Sequence, residues 1–274
     1  MSKRFMGSPD GQAMDAAQIE ANFTDIHPPL SEVQAMAESS RCLYCYDAPC
    51  VTACPTSIDI PKFIHQIRTK NTKGSAKTIL SSNIMGGTCA RVCPTEVLCE
   101  GVCVKNATGE EPVKIGQLQR YAVDHLLDSN ADHPFFRAAS TGKKVAVVGA
   151  GPAGLSFAHR AAMHGHDVVV FEAKAKAGGL NEYGLAAYKM VNDFAQAEVD
   201  FLLQIGGISI EYNKALGRDY TIESLSSDYD AVFVGVGLGD VNALGVDGED
   251  KQGIENAISF IEDLRQAPSK KDVA

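Results

Sequence analysis

Eight cysteines crowd the stretch from Cys42 to Cys103 of this 274-residue chain, and the 171 residues that follow contain none. They form two groups, Cys42-x2-Cys45-x4-Cys50-x3-Cys54-Pro55 and Cys89-x3-Cys93-Pro94-x4-Cys99-x3-Cys103. Short spacings let several thiolates converge on one iron–sulfur cubane, in which each iron needs an anionic sulfur ligand. In the bacterial ferredoxin pattern, the cysteine before a proline ligates the other cluster. Cys54 and Cys93 both carry that mark, so ligands are expected to cross between the groups. Two structural zinc sites are the alternative use of eight thiolates. Zinc sites favour paired Cys-x2-Cys knuckles, and the longer gaps here suit them poorly.

A second constellation begins at Val145-Ala146-Val147-Val148, which runs into Gly149-x-Gly151-x-x-Gly154, with Glu172 closing the next apolar run. Each glycine has a task in dinucleotide binding: a tight turn, close approach of backbone to pyrophosphate, and close packing of helix on strand. The phosphates then lie at the N-terminus of the helix opening at Pro152-Ala153-Gly154. Glu172 can accept hydrogen bonds from a ribose diol. Strand, glycines, helix, strand and acid in register make a specific signal. These residues leave FAD and NAD open. Gly178-Gly179 and the run Gly235-Val236-Gly237-Leu238-Gly239 each allow another backbone approach to the cofactor, or are only turns.

The elements that must position these groups fall into two kinds. Residues 1–28 are polar, show little periodicity, and are expected to wrap over another element or stay mobile. Ser31 and Gln34 form a capping box for a helix leading toward Cys42, with Val33, Met36 and Ala37 on one face. Ile60 to Ile67 and Ala76 to Leu80 read as short helices separated near Asn71 to Gly74. A longer helix covers about 115–127, with Ile115, Leu118, Ala122 and Leu126 on one side. The pattern changes after a polar linker, 129–142, that holds a packed patch at Phe135-Phe136. Lys144–Val148 is an apolar strand, Pro152 to His164 a helix stopped by Gly165, and Asp167 to Phe171 a second strand. A helix from Phe194 to Ile205, an alternating strand at Ile208 to Tyr212, a buried strand at Ala231 to Val236 and a helix at Glu255 to Leu264 follow. The expected architecture is α plus α/β: a helical iron–sulfur domain over 1–142, then an incomplete Rossmann-like βαβ domain over 143–274.

Composition narrows the setting. The net charge of −9, with both signs interspersed, offers no electropositive face for nucleic acid or anionic lipid. No apolar run approaches the roughly 18 to 20 residues that span a bilayer. The N-terminus shows no signal peptide, and reduced thiolates fit a cytoplasmic protein.

Both constellations, in this order, resemble the flavoprotein family that includes dihydropyrimidine dehydrogenase and the glutamate synthase small subunit. The likeness covers about Glu38 to Gln266. Asp47-Ala48-Pro49-Cys50, Cys54-Pro55-Thr56, Cys93-Pro94-Thr95, Leu98-Cys99 and Ile115-Gly116-Gln117-Leu118-Gln119 are most similar to the dihydropyrimidine dehydrogenase branch, including its bacterial NAD-dependent form. The resemblance implies one 4Fe-4S cluster on Cys42, Cys45, Cys50 and Cys103, and another on Cys54, Cys93, Cys99 and the side-chain oxygen of Gln119. Counting thiols alone would choose Cys89 instead, which the resemblance makes a bystander. It implies FAD at Gly149, Gly151, Pro152, Ala153, Gly154 and Glu172, with Gly178, Gly179 and Leu180 near the flavin and Gly237 at the crevice. It implies NAD(P)H as donor, and as partner an FMN-containing subunit that reduces pyrimidines, or alternatively a glutamate synthase large subunit. No catalytic side chain is nominated. The family continues into a nucleotide domain with its own glycine turn, which this sequence does not reach; on that reading the chain is truncated and holds flavin weakly, and it is expected to be the electron-entry module of an NAD(P)H-dependent oxidoreductase, with a non-enzymatic electron-transfer fragment as the alternative.

Overall fold

A computed structural model describes residues 15, 24–129, 131–239 and 241–267. The first half is helical: every strand among the described residues lies between Lys144 and Val234. Helix Glu32–Ser39 opens with the Ser31/Gln34 capping box, both halves of which are made. Its buried face is Ala35 and Ser39, whereas Val33 is exposed, which corrects the expected face. Too few apolar residues lie along two turns to tell one side from another. Helices Ile60–Arg68 and Thr72–Ser82 are parted by a break at 69–71, and Asn71 caps the second by accepting from the Gly74 N–H at 3.0 Å. Gly74 is therefore inside the helix, not in the break.

Helix Ile115–Asp128 is the long one, with Ile115, Leu118, Ala122 and Leu126 buried. Its own N-cap, Lys114, supplies no side-chain bond. Two carboxylates do that work: Glu38 accepts from the Lys114 N–H and Glu100 from the Gly116 N–H, both at 2.9 Å. Helix Gly86–Val92 packs alongside.

The second half is a doubly wound sheet. Strands β1 (Lys144–Val148), β2 (Asp167–Phe171), β3 (Ile208–Glu211) and β4 (Ala231–Val234) are all parallel in the order β3-β2-β1-β4. Val145 and Val147 join the core beneath helices Pro152–Met163 and Phe194–Leu203, while Ala146 and Val148 meet Leu225 on the other face. The expected strand at Ala231 to Val236 is shorter, and it is not buried: as the sheet's edge it keeps Ala231 and Val234 exposed.

The segment 129–142 is less a spacer than a strap. Ala138 donates to the Met163 carbonyl and Thr141 to that of Gly165, each at 3.0 Å. Phe135 is buried, but Phe136 is exposed, so the packed patch consists of Phe135 with His133, His159 and Phe201. One apolar core continues from Ala35 through Phe135 to Ile205, joining the two halves. Of the N-terminal residues, 1–14 and 16–23 lie outside the described part. Asp25 pairs with Arg120, and the Ile26 N–H donates to the Tyr188 carbonyl, so the described portion does wrap over later elements.

Candidate functional site

The cysteines divide between two cavities, and the division crosses the sequence groups. Cys42, Cys45, Cys50 and Cys103 line one. Cys54, Cys89, Cys93 and Cys99 line the other, together with Gln119. Ile60 and Ile115 contribute to both linings, so the cavities are neighbours across a shared apolar wall.

A proline accounts for one of the two crossings, that of Cys54. Proline excludes the helical conformation from the residue before it. Cys54 therefore leaves helix Pro49–Ala53 extended, with φ −77° and ψ 119°, and Cys93 leaves helix Gly86–Val92 with φ −64° and ψ 133°. Cys54 is thereby turned out of its own group toward the second cavity, whereas Cys93 stays there with Cys89 and Cys99 of its own group, which corrects the expectation that both proline-marked cysteines cross; the other residue that crosses, Cys103, precedes no proline. Cys50 stays within its five-residue helix, facing the first. The loops around it are tightly wound: Tyr44, Ala48 and Ser57 all adopt positive φ, between 26° and 51°. Such conformations cost free energy and persist where the surroundings impose them.

The second cavity has no charged side chain in its lining beyond the thiols, whereas Arg41 and Lys105 line the first. Burial pushes the Cys50 thiol up to about 11, helped by the nearby Cys42 sulfur, and pushes Cys99 up to about 12, with Glu100 adding to the shift. Burial likewise raises Cys42. The Cys93 thiol donates to the Cys89 sulfur, which raises Cys93 and lowers Cys89. Four thiolates cannot gather here unless a cationic centre offsets their repulsion and desolvation. Among the described residues, no three His, Cys, Asp or Glu side chains converge on a point fit for a single metal ion. The sulfurs surround a volume, which suits a polynuclear group.

Gln119 is buried, and its Nε2 donates to the Gly86 carbonyl at 2.8 Å. That bond fixes which end of the amide is the nitrogen and leaves the oxygen as the free donor atom at the cavity. The helix bearing Gly86, Cys89 and Cys93 is itself held from the other half of the molecule. Glu198, on helix Phe194–Leu203, accepts from the N–H groups of Gly87 at 2.8 Å and Thr88 at 3.0 Å, and from the Thr88 hydroxyl. Burial raises the Glu198 carboxyl, against the lowering effect of those bonds. Sequence reading missed Glu198, Glu38 and Glu100. The one available signal was a carboxylate inside the apolar stripe Phe194, Ala195, Val199, Phe201 and Leu202.

At the other end, the glycine turn has little room for side chains. A Cβ on Gly154 would stand 1.9 Å from the Gly149 carbonyl oxygen, and Gly149 itself has φ +99°. Gly151 caps helix Pro152–Met163 in extended conformation without a side-chain bond, which leaves the helix N-terminus, with Ala153 in its first turn, open to an anion. Gly178 donates to the Ala150 carbonyl at 2.8 Å. A Cβ on Gly179 would meet the Gly151 Cα at 2.8 Å, so the second glycine pair lies directly against the first turn, with Leu180 following in an exposed position. Glu172 is buried, and its oxygens accept the N–H groups of Ala150 and Lys174, both at 2.8 Å. It thus shapes the turn as well as offering remaining lone pairs to a ribose. Gly237, with φ +76°, follows β4 in open space beside β1, where the strand order reverses. The residues fit a dinucleotide.

Residues 19–131 match the family model of dihydropyrimidine dehydrogenase domain II with its 4Fe-4S cluster, and residues 143–274 match that of pyridine nucleotide-disulphide oxidoreductases. The class so defined is an oxidoreductase, an iron–sulfur domain joined to a flavin- and nucleotide-type domain. Within it the chain resembles the dihydropyrimidine dehydrogenase flavoproteins. It is 36% identical over 249 residues to the NAD-dependent dihydropyrimidine dehydrogenase subunit PreT of Escherichia coli K12, and 34% identical to that of Salmonella typhimurium. Each alignment takes in 90% of this chain and 59% of the relative, so the chain spans under two thirds of the length of these relatives. A structure of Mycobacterium tuberculosis FprA with NADPH aligns at TM-score 0.42 and 24% identity, over 48% of this chain and 30% of that one. Among the described residues, no helix is long and apolar enough to cross a membrane.

Proposed function

We propose that the chain is an electron-entry module in which a dinucleotide-bound flavin feeds two 4Fe-4S clusters that lead to a partner. Cys42, Cys45, Cys50 and Cys103 would hold one cluster, and Cys54, Cys93, Cys99 and Gln119 the other. FAD would lie on the turn from Gly149 to Gly154, with Glu172 at its ribose and Gly178, Gly179, Leu180 and Gly237 around it. When bound, the flavin takes an electron pair from NAD(P)H and the clusters pass electrons on singly. The protein contributes placement: the Glu198 contact sets the Gln119-side cavity against the flavin half, and the shared wall at Ile60 and Ile115 sets the second cavity next to the first. By analogy with the named relatives, the partner would be an FMN-containing subunit that reduces pyrimidines in the cytoplasm.

The observation that carries this reading is the crossed division of the cysteines, since two separate zinc knuckles would keep each sequence group to itself. Anaerobic reconstitution should give about eight irons and eight acid-labile sulfides per chain. Zinc without sulfide would overturn the cluster assignment.

A further inference from the structure

A cubane has four corners, yet the second cavity is lined by five candidate donors: Cys54, Cys89, Cys93, Cys99 and Gln119. The surplus is not a distant sulfur. Cys89 lies in helix Gly86–Val92, four residues before Cys93, which caps that helix, and its sulfur makes side-chain hydrogen bonds with both Cys93 and Gln119. Gln119 reaches this position from a different helix, oriented by its bond to the Gly86 carbonyl one turn before Cys89. The Gln119 amide and the Cys89 thiol thus stand side by side at one corner. Nothing in the proposed ligand set uses the thiol.

We propose that Cys89 is a reserve ligand for the Gln119-side cluster, able to take the fourth iron when the glutamine oxygen is withdrawn. This rests on the two-cluster reading above. In the exchange the Cys89 S–H bond breaks and its proton leaves to solvent, a sulfur–iron bond forms, and the iron–oxygen bond to Gln119 breaks. No electron moves. Soft thiolate is the better match for iron in such a cluster, so the corner is not lost when the amide is gone. The exchange makes the cluster more negative by one charge, which lowers its reduction potential. The device would keep the cubane whole through oxidation or through a disturbance of the Gln119 helix, at the expense of its potential.

The test uses the full chain, reconstituted anaerobically, with Gln119→Leu, Cys89→Ser and the double variant; iron, sulfide and the electron paramagnetic resonance of the reduced protein are read. Gln119→Leu should keep about eight irons, with one altered signal and a lowered potential for that cluster only. Cys89→Ser should keep about eight irons with unaltered signals, and the double variant about four. Gln119→Asn, one methylene shorter, repeats the experiment without placing an apolar side chain in the cavity, and thermal melting checks each fold. A well-folded Gln119→Leu or Gln119→Asn protein with only about four irons means that Cys89 does not reach, and overturns the proposal. A double variant that retains both clusters also overturns it, as does a Cys89→Ser protein that loses one, since Cys89 would then be the resident ligand. A parent chain that assembles no cubane at all would instead defeat the underlying two-cluster reading.

Discussion

Glu198 shows how much a single side chain can carry when its partners are far away in sequence. Its carboxylate satisfies two backbone N–H groups and one hydroxyl on a helix 110 positions earlier, and all are buried. Glu198→Ala strips those donors of their acceptor at once. Leaving several buried groups unsatisfied should lower stability by about 3 kcal/mol, read from the urea midpoint, with Glu198→Gln losing less because one oxygen remains. An unchanged midpoint in Glu198→Ala would show that water replaces the carboxylate. At this scale the cysteines were legible in the sequence because spacing is local information, but the proline marks named only one of the two residues that cross over, Cys54, and gave no sign of Cys103. Glu172 was legible as an acid at a strand end, but its bonds to Ala150 and Lys174 were not. Glu38, Glu100 and Glu198 were invisible as caps, since a capping carboxylate supplied by another element leaves no mark within the helix that it caps.

Elements announce themselves when their ends and faces are both written locally. The Ser31 box and the turn from β1 into helix Pro152–Met163 are of this kind, and both occur as expected. Faces were harder. The exposure of Val33, Phe136 and Val234 contradicts an apolar reading for one reason: which side of a short element meets the core is decided by neighbours that the pattern does not name. The glycine turn is strict enough to predict from. Gly154→Ala would drive a methyl group to 1.9 Å from the Gly149 oxygen, backbone against backbone, and the helix must move away from the strand. Gly237→Ala meets nothing within 4 Å and is strained only by its φ of +76°. Dinucleotide affinity, followed by quenching of flavin fluorescence, should therefore fall at least tenfold in Gly154→Ala and change far less in Gly237→Ala. Equal losses in the two would dissociate the turn from binding.

Across the whole molecule, the strap at 133–141 pins the halves together over a pair of histidines, His133 half-buried and His159 buried. Burial lowers His133, and burial with the neighbouring His133 lowers His159 to about 4. The unfolded chain takes up its protons near the usual value of about 6.5, whereas the folded one resists. Stability from His159 is therefore complete above pH 6.5 and drains away as pH falls toward 4, by roughly 1.4 kcal/mol per pH unit. Denaturation midpoints measured between pH 7.5 and 4.5 should decline across that window, and His159→Phe should flatten the decline. A second consequence of the joined halves concerns biogenesis. Helix Gly86–Val92 is seven residues long and has no side-chain cap of its own. Its first turn is finished only by Glu198. A ribosome delivers Cys89 and Cys93 long before that residue, whereas every residue lining the Cys42 cavity has emerged by Ile115. On the proposed reading, iron delivery to the Cys42 cavity would begin on the nascent chain, while the Gln119 cavity would wait for the second half to fold, so that the sequence order of the two halves would impose an order of maturation.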